Sequence, residues 1–187
     1  MDDTTTDEVL IARIARKDQA AMEALYLRHN VRVFRFLVRL VRNPDLAEDL
    51  AGDVFLDVWR QAGQFEARSS VSTWLLSIAR FKALSSFRRK SPETSDPETT
   101  EEIEDEADTP EISLQKVSKA QALRLCVERL SREHREVVDL VYYHEKKVDE
   151  VAAILGIPEA TVKTRMFYAR KRLSEILREA GIDRGWP

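Results

Sequence analysis

Apolar residues fall at helical spacing along most of this chain. Thr5, with Glu8 three residues on, reads as a capping box that opens a helix through Arg16. Asp18 is placed to cap a second helix to about Val41, on which Met22, Leu25, Tyr26, His29, Val33, Phe36, Leu37 and Leu40 share a stripe. A second stripe, Leu27, Val31, Phe34, Val38 and Val41, runs beside it, so this helix is expected to be the central member of a bundle. Asn43-Pro44 supplies an N-cap and a first-turn proline for a helix to about Arg60, with Ala47, Leu50, Ala51, Val54 and Val58 inward. After Gly63, a polar loop over 64–70 leads into a helix over 72–90, with Trp74, Leu75, Ile78 and Phe81 expected to pack.

Further on, Thr109-Pro110 opens a helix through about Arg129, packed through Leu114, Val117, Leu125 and Cys126. Ser131 caps another that holds Val137, Val138, Leu140, Val141 and Tyr142. The segment Val148–Leu173, VDEVAAILGIPEATVKTRMFYARKRL, reads as helix, tight turn, helix. Ala152 is small where a second helix crosses, Gly156 sits where the turn needs a positive φ, and Ile157 plugs the junction. Pro158-Glu159 then starts a helix whose inner face is Val162, Met166, Ala169 and Leu173.

Composition agrees with an all-α chain: five Gly and six Pro in 187 residues, and few strand-favouring residues beside Leu, Ala, Arg and Glu. The net charge of −3 conceals an uneven distribution. Ser91–Gln115 holds ten acids, three prolines and no Lys or Arg, while the remainder keeps 30 basic residues against 23 acids. Such a stretch buries too little apolar surface to offset its ordering entropy and is expected to be a flexible linker, whether a plain tether or a competitor with nucleic acid for the basic flanks. The expected architecture is therefore two small helical bundles, 1–90 and 111–187, joined by an acidic linker over 91–110, the second containing a helix-turn-helix.

Charge also marks candidate surfaces. Arg28, Arg32, Arg35, Arg39 and Arg42 line one face of the second helix, fit for a phosphate backbone, an acidic partner or plain solvation. Asp45, Glu48, Asp49, Asp53 and Asp57 lie on the outer side of the third, with Leu56 among them and Phe55 and Trp59 at the flanks, a pattern that suits protein docking. Gly52 would permit close approach there or is simply tolerated. Arg80, Lys82, Arg88, Arg89 and Lys90 make the 72–90 helix basic, as single-stranded nucleic acid requires, or as any solvated helix allows. In the last helix Thr161, Thr164, Phe167, Tyr168 and Lys171 point away from the core, flanked by Lys163, Arg165, Arg170 and Arg172. Side chains near its start could reach base edges and the later ones phosphates, which is how a major-groove recognition helix works.

Other chemistry is thin. One cysteine excludes a disulfide framework, Cys126 reads as a small buried hydrophobe, and His29 as a packed core histidine. The three histidines have no ligand-like spacing and no glycine-rich phosphate loop occurs, so no metal, cofactor or catalytic residue is expected. Neither a signal peptide nor a membrane span is read, and a cytoplasmic location is expected.

Three blocks, DLAEDLAGDVFLDVW (Asp45–Trp59), STWLLSIAR (Ser72–Arg80) and LGIPEATVKTRMFYARKRL (Leu155–Leu173), in this order around an acidic spacer, resemble the extracytoplasmic-function sigma factors of bacterial RNA polymerase. The resemblance implies that Asp45, Glu48, Asp49, Asp53, Phe55, Leu56 and Trp59 meet the clamp helices of core RNA polymerase. It implies that the 64–90 stretch, with Arg80, Lys82, Ser85, Arg88 and Arg89, captures the non-template strand of a −10 element with a base flipped into a pocket. It implies that Thr161, Lys163, Thr164, Arg165, Phe167, Tyr168, Arg170, Lys171 and Arg172 read the −35 duplex while their domain meets the flap. Phe81 and Ser85 stand where the family often has Asn and Asp, and Gly52 where it often has Gln. Control by an anti-sigma factor is a further expectation. The competing reading is a helix-turn-helix regulator that binds duplex DNA without polymerase; an enzyme is a distant third.

Overall fold

The computed structural model describes residues 5–90 and 119–181, apart from the side chains at 89, 90, 119 and 120. The stretch expected to be a linker, and Leu114 and Val117 of the helix expected from Thr109-Pro110, lie outside the described residues, as does the Arg89 side chain. The described residues form helices α1 (Asp7–Ile14), α2 (Gln19–Val41), α3 (Pro44–Gln61) and α4 (Val71–Lys90), then α5 (Lys119–Glu128), α6 (Arg132–Val138), α7 (Val148–Leu155) and α8 (Glu159–Glu179), and no strand. A short 3-10 turn, Ala62–Gln64, follows α3, and a π turn, Asp139–Tyr143, follows α6.

Caps set most boundaries. Asp18, Asn43 and Ser131 each accept a hydrogen bond from the backbone N–H three residues on, at 3.1, 3.0 and 3.4 Å. The first helix starts one residue later than expected. Thr6, not Thr5, is its cap, accepting from the Val9 amide at 3.4 Å. Thr6 has no Glu three residues on, so no capping box closes there.

The front lobe, α1 to α4, packs Leu10, Ile14, Leu25, Phe36, Leu37, Val54 and Val58 into one interior. His29 lies in it as expected, 6% exposed, its Nε2 2.7 Å from Asp7 Oδ2; burial lowers its pKa and the Asp7 charge opposes that. The second apolar stripe of α2 is packed only in part. Leu27 and Val31 are 63% and 53% exposed, Phe34 and Val38 are half-buried, and Tyr26 is 45% exposed, edge-on to Phe55. Among the described residues no helix covers Leu27 and Val31, while Phe34 and Val38 pack against the core and Val41 lies in it; α2 packs on α1, α3 and α4 and is the central helix of the bundle, as expected.

On α4 the inward face also differs. Val71, Leu75, Leu76, Ala79 and Ala83 are buried, whereas Phe81 is 65% exposed and Trp74 and Ile78 only half-buried. The alanines let α4 approach closely, packed against α2, α3 and α7, and Phe81 is turned outward.

Candidate nucleic-acid and protein interfaces

The helix-turn-helix forms as its residues dictate. Gly156 takes φ +65° and a Cβ there would meet nothing within 4 Å, so glycine is needed for the backbone conformation alone. The Ile157 amide donates to the Ala152 carbonyl at 3.2 Å and closes the turn. Val162, Met166, Ala169 and Ile176 bury the inner side of α8. On its outer side Lys163, Thr164, Phe167, Tyr168, Arg170, Lys171 and Arg172 are exposed and Thr161 is half-buried. Phe167 and Tyr168, 63% and 52% exposed, meet edge-on with their ring centroids 5.4 Å apart.

Not every basic side chain of α8 is equally free. Arg165 is turned to the rear lobe's own Glu133 at 2.7 Å, its side chain 21% exposed, and Arg170 Nε donates to the Tyr142 hydroxyl at 3.2 Å. Arg172 pairs with Glu175 at 3.1 Å and Lys163 lies 3.9 Å from Glu159. Lys171 has no such partner among the described residues, and with Thr164, Phe167 and Tyr168 it presents an outward row.

The ridge on α3 is exposed at Asp45, Glu48, Asp49, Asp53 and Leu56. Phe55 does not belong to it: at 4% exposure it is core, packed against Tyr26. Its position one residue from Val54 turns it inward, away from Leu56. Trp59 is half-buried under Lys17, whose Nζ lies 5.1 Å above the ring and donates to the Trp59 carbonyl at 2.8 Å. With Tyr26 and Met22, Trp59 lines an open groove of about 480 Å³ beside the ridge. At Gly52 a Cβ would meet nothing within 4 Å, so no neighbour in the chain requires glycine there.

On α4, Arg80 and Lys82 are held internally, Arg80 by Glu136 at 3.2 Å and Lys82 by Asp57 at 2.8 Å. Ser85 is half-buried and accepts from Arg88 at 3.2 Å. Phe81 stands on the outer face with Ser85 and Arg88, an aromatic surface open to a stacked base. Its expected inward packing is not found, because its register opposite the buried Ala79 and Ala83 turns it to solvent.

The two lobes meet through a polar joint that sequence spacing did not reveal. Lys146, 7% exposed, donates to Ser72 at 2.6 Å, Thr73 at 3.0 Å and Ser70 at 3.4 Å, and lies 3.3 Å from Glu150. Burial lowers the pKa of its ammonium, opposed by Glu150. Burial would raise the Glu150 carboxyl, but hydrogen bonds from Thr73, the Lys147 amide and Ser70, with the Lys146 charge, outweigh it and hold the group at about 2. Arg39 pairs with Asp139 across the same joint and stacks on Tyr143. His144 is buried beside them, its Nε2 3.3 Å from Asp139 Oδ2 without hydrogen-bond geometry.

Of the arginine row on α2, Arg28 is taken by Asp7 and the Thr5 carbonyl, Arg39 by Asp139, and Arg42 donates to the Glu128 carbonyl at 3.4 Å. Cys126 is 4% exposed and burial raises its thiol pKa. Among the described residues no group of His, Cys, Asp and Glu could hold a metal ion, and no helix is long and apolar enough to cross a membrane.

Known proteins share this organisation. A family model described as Sigma-70 region 2 matches residues 25–93, and one described as Sigma-70, region 4 matches residues 120–173. The chain is 30% identical over 168 residues to the ECF RNA polymerase sigma factor SigK of Mycobacterium sp. (strain KMS), covering 87% of this chain and 86% of that one. It is 30% identical over 175 residues to the ECF RNA polymerase sigma factor RpoE of Cereibacter sphaeroides, covering 91% and 94%. Among solved structures it is similar to the sigma factor RpoE of Bartonella quintana in complex with the anti-sigma factor NepR, with TM-score 0.64, 29% identity and coverage of 83% and 96%. CnrH in complex with the cytosolic domain of CnrY shares the fold, with TM-score 0.66 at 23% identity and coverage of 92% and 97%.

Proposed function

The chain belongs to the extracytoplasmic-function RNA polymerase sigma factors, and from that premise we propose how its own residues divide the work of promoter-specific initiation. Sigma factors are initiation factors that direct core RNA polymerase to promoters, not enzymes. The units are 1–90, which docks on core polymerase and takes the −10 element, 91–110, an acidic linker, and 111–187, which takes the −35 element. The location is cytoplasmic, where polymerase works.

The observation that carries this reading is the free outward row of α8. Thr164, Phe167, Tyr168 and Lys171 project from the second helix of a helix-turn-helix with their inner neighbours fully buried. That is the geometry of direct readout near the helix start with phosphate contacts further along. Arg165, engaged by Glu133, orients the helix more than it reads bases. Asp45, Glu48, Asp49, Asp53, Leu56 and the rim of Trp59 form the polymerase contact, without Phe55. On α4, Phe81, Ser85 and Arg88 receive the unpaired strand; Arg80 joins them only if the joint to Glu136 loosens.

The solved complex of a similar sigma factor with the anti-sigma factor NepR supports the further reading that an inhibitory protein controls this chain. A run-off assay with core polymerase tests the whole assignment. Defined transcripts from a subset of promoters are expected, lost on Thr164→Ala with Lys171→Ala. Duplex binding without initiation would instead favour the stand-alone regulator.

A further inference from the structure

Between α6 and α7 the π turn sets two tyrosines on the surface, Tyr142 at 50% and Tyr143 at 45% exposure, just after the fully buried Leu140. Their partners differ. Arg39 of the front lobe stacks on the Tyr143 ring, 3.9 Å from its centroid. Tyr142 instead meets α8, where its hydroxyl oxygen accepts a hydrogen bond from Arg170 Nε at 3.2 Å.

That contact sits on one flank of the candidate recognition helix. At 3.6 residues per turn, side chains two turns apart stand nearly in line. Lys163 and Arg170 therefore share one flank and Arg165 and Arg172 the other, with the row from Thr164 to Lys171 between them. The second flank is neutralised within the chain, Arg165 by Glu133 at 2.7 Å and Arg172 by Glu175 at 3.1 Å. On the first, Lys163 has only Glu159, 3.9 Å away with both side chains more than half exposed. Arg170 has no acid partner among the described residues.

Tyr142 thus holds Arg170 without neutralising it. A hydroxyl oxygen that accepts from Nε leaves both Nη amines, and the hydroxyl proton itself, without a partner among the described residues. The free edge of the guanidinium is the planar fork that matches two oxygens of one phosphate. Because the neutral anchor already restrains the side chain, less of its freedom is lost when DNA arrives. A carboxylate in the same place would restrain it equally and cancel the attraction, which is the state of Arg165 and Arg172.

We propose that Tyr142 is a positioning residue for promoter DNA, aiming Arg170 at a backbone phosphate on one side of the groove that α8 enters. The assignment rests on the reading of α8 as the −35 recognition helix. It adds a side chain from outside the helix-turn-helix and makes the backbone beside Lys163 and Arg170 the more tightly held of the two.

The test is fluorescence anisotropy of the full chain on a duplex covering the upstream half of a promoter it transcribes in run-off. Tyr142→Phe removes one exposed hydroxyl and should leave Tm unchanged. It should weaken duplex binding about fivefold, the scale of one well-aimed charge-assisted hydrogen bond. Arg170→Ala should weaken it further and lower the slope of log affinity against log salt by about one. In the Arg170→Ala background Tyr142→Phe should cost about twofold at most, because the hydroxyl acts through the guanidinium. Methylphosphonate substitution along the duplex locates the partner: neutralising one phosphate should cost the parent chain about fivefold and both variants about twofold at most. Losses that add in the double variant, or a scan in which no phosphate separates parent from variants, overturn the proposal and leave the reading of α8 standing. So does weaker co-purification of Tyr142→Phe with core polymerase at unchanged duplex affinity, which would make Tyr142 a protein contact. A parent chain that fails to bind the duplex sinks the −35 reading and the proposal with it.

Discussion

Replacing Lys146 by methionine isolates the polar joint. The substitution keeps an unbranched side chain of similar length and removes one ammonium that donates to Ser70, Ser72 and Thr73 across the lobes. Charge-assisted hydrogen bonds contribute about 1.5–3 kcal/mol each when counted singly. Against the three stands the desolvation of an ammonium with 5% side-chain exposure, a cost of several kcal/mol. Glu150 keeps its bonds from Thr73 and Ser70 but loses its counter-charge. The net loss to the closed arrangement is about 2 kcal/mol, roughly a 30-fold shift of the closed-to-open ratio. Single-molecule energy transfer between dyes on α3 at position 48 and α8 at position 178 reads that ratio, and circular dichroism checks that the helices persist. An open population that grows in Lys146→Met, and no further in the double variant with Glu150→Gln, is expected. An unchanged or more closed ensemble would refute the reasoning, because a methionine that packs as well as the ion pair means the joint is held by apolar contact.

Other outcomes follow from the same contacts. The Glu150 carboxyl has a folded pKa near 2, below its ordinary 4.5, so the stability it contributes is complete above about pH 4.5 and lost as pH falls toward 2; Glu150→Gln should flatten that part of an acid-unfolding curve. Gly156→Ala forces a side chain into the left-handed region without a clash and should cost about 1–2 kcal/mol, read as a lower Tm. Lys171→Ala should lower the slope of log affinity against log salt by about one and weaken all promoter duplexes alike; Arg165→Ala should leave that slope unchanged. Asp49→Ala with Leu56→Ala should reduce co-purification with core polymerase at unchanged Tm, since both side chains are exposed.

Local chemistry made the rear of the chain readable. Gly156, Pro158 and the spacing of Val162, Met166 and Ala169 fix a helix-turn-helix with little help from elsewhere, and the structure keeps it residue for residue. Caps at Asp18, Asn43 and Ser131 were equally local. What failed depended on which neighbours arrive. Bulk suggested that Phe81 faces inward with Trp74, Leu75 and Ile78; those three do pack on the core, but close packing of α4 selected the side built from Ala79 and Ala83 and left Phe81 exposed. The second stripe of α2 is apolar enough for a core and lacks a helix to cover Leu27 and Val31. The joint was illegible because Lys146 and Thr73 are 73 residues apart and no periodicity or spacing pairs them.

Site-directed photocrosslinking in the assembled holoenzyme on a promoter addresses the division of labour most directly. With a photoreactive residue at 164 on α8, at 56 on α3 and at 81 on α4, in separate preparations, three different adducts are expected. Position 164 should label duplex DNA upstream, position 56 the largest polymerase subunit, and position 81 the non-template strand near the start site. Label from 164 on polymerase alone, or from 56 on DNA, would contradict the account.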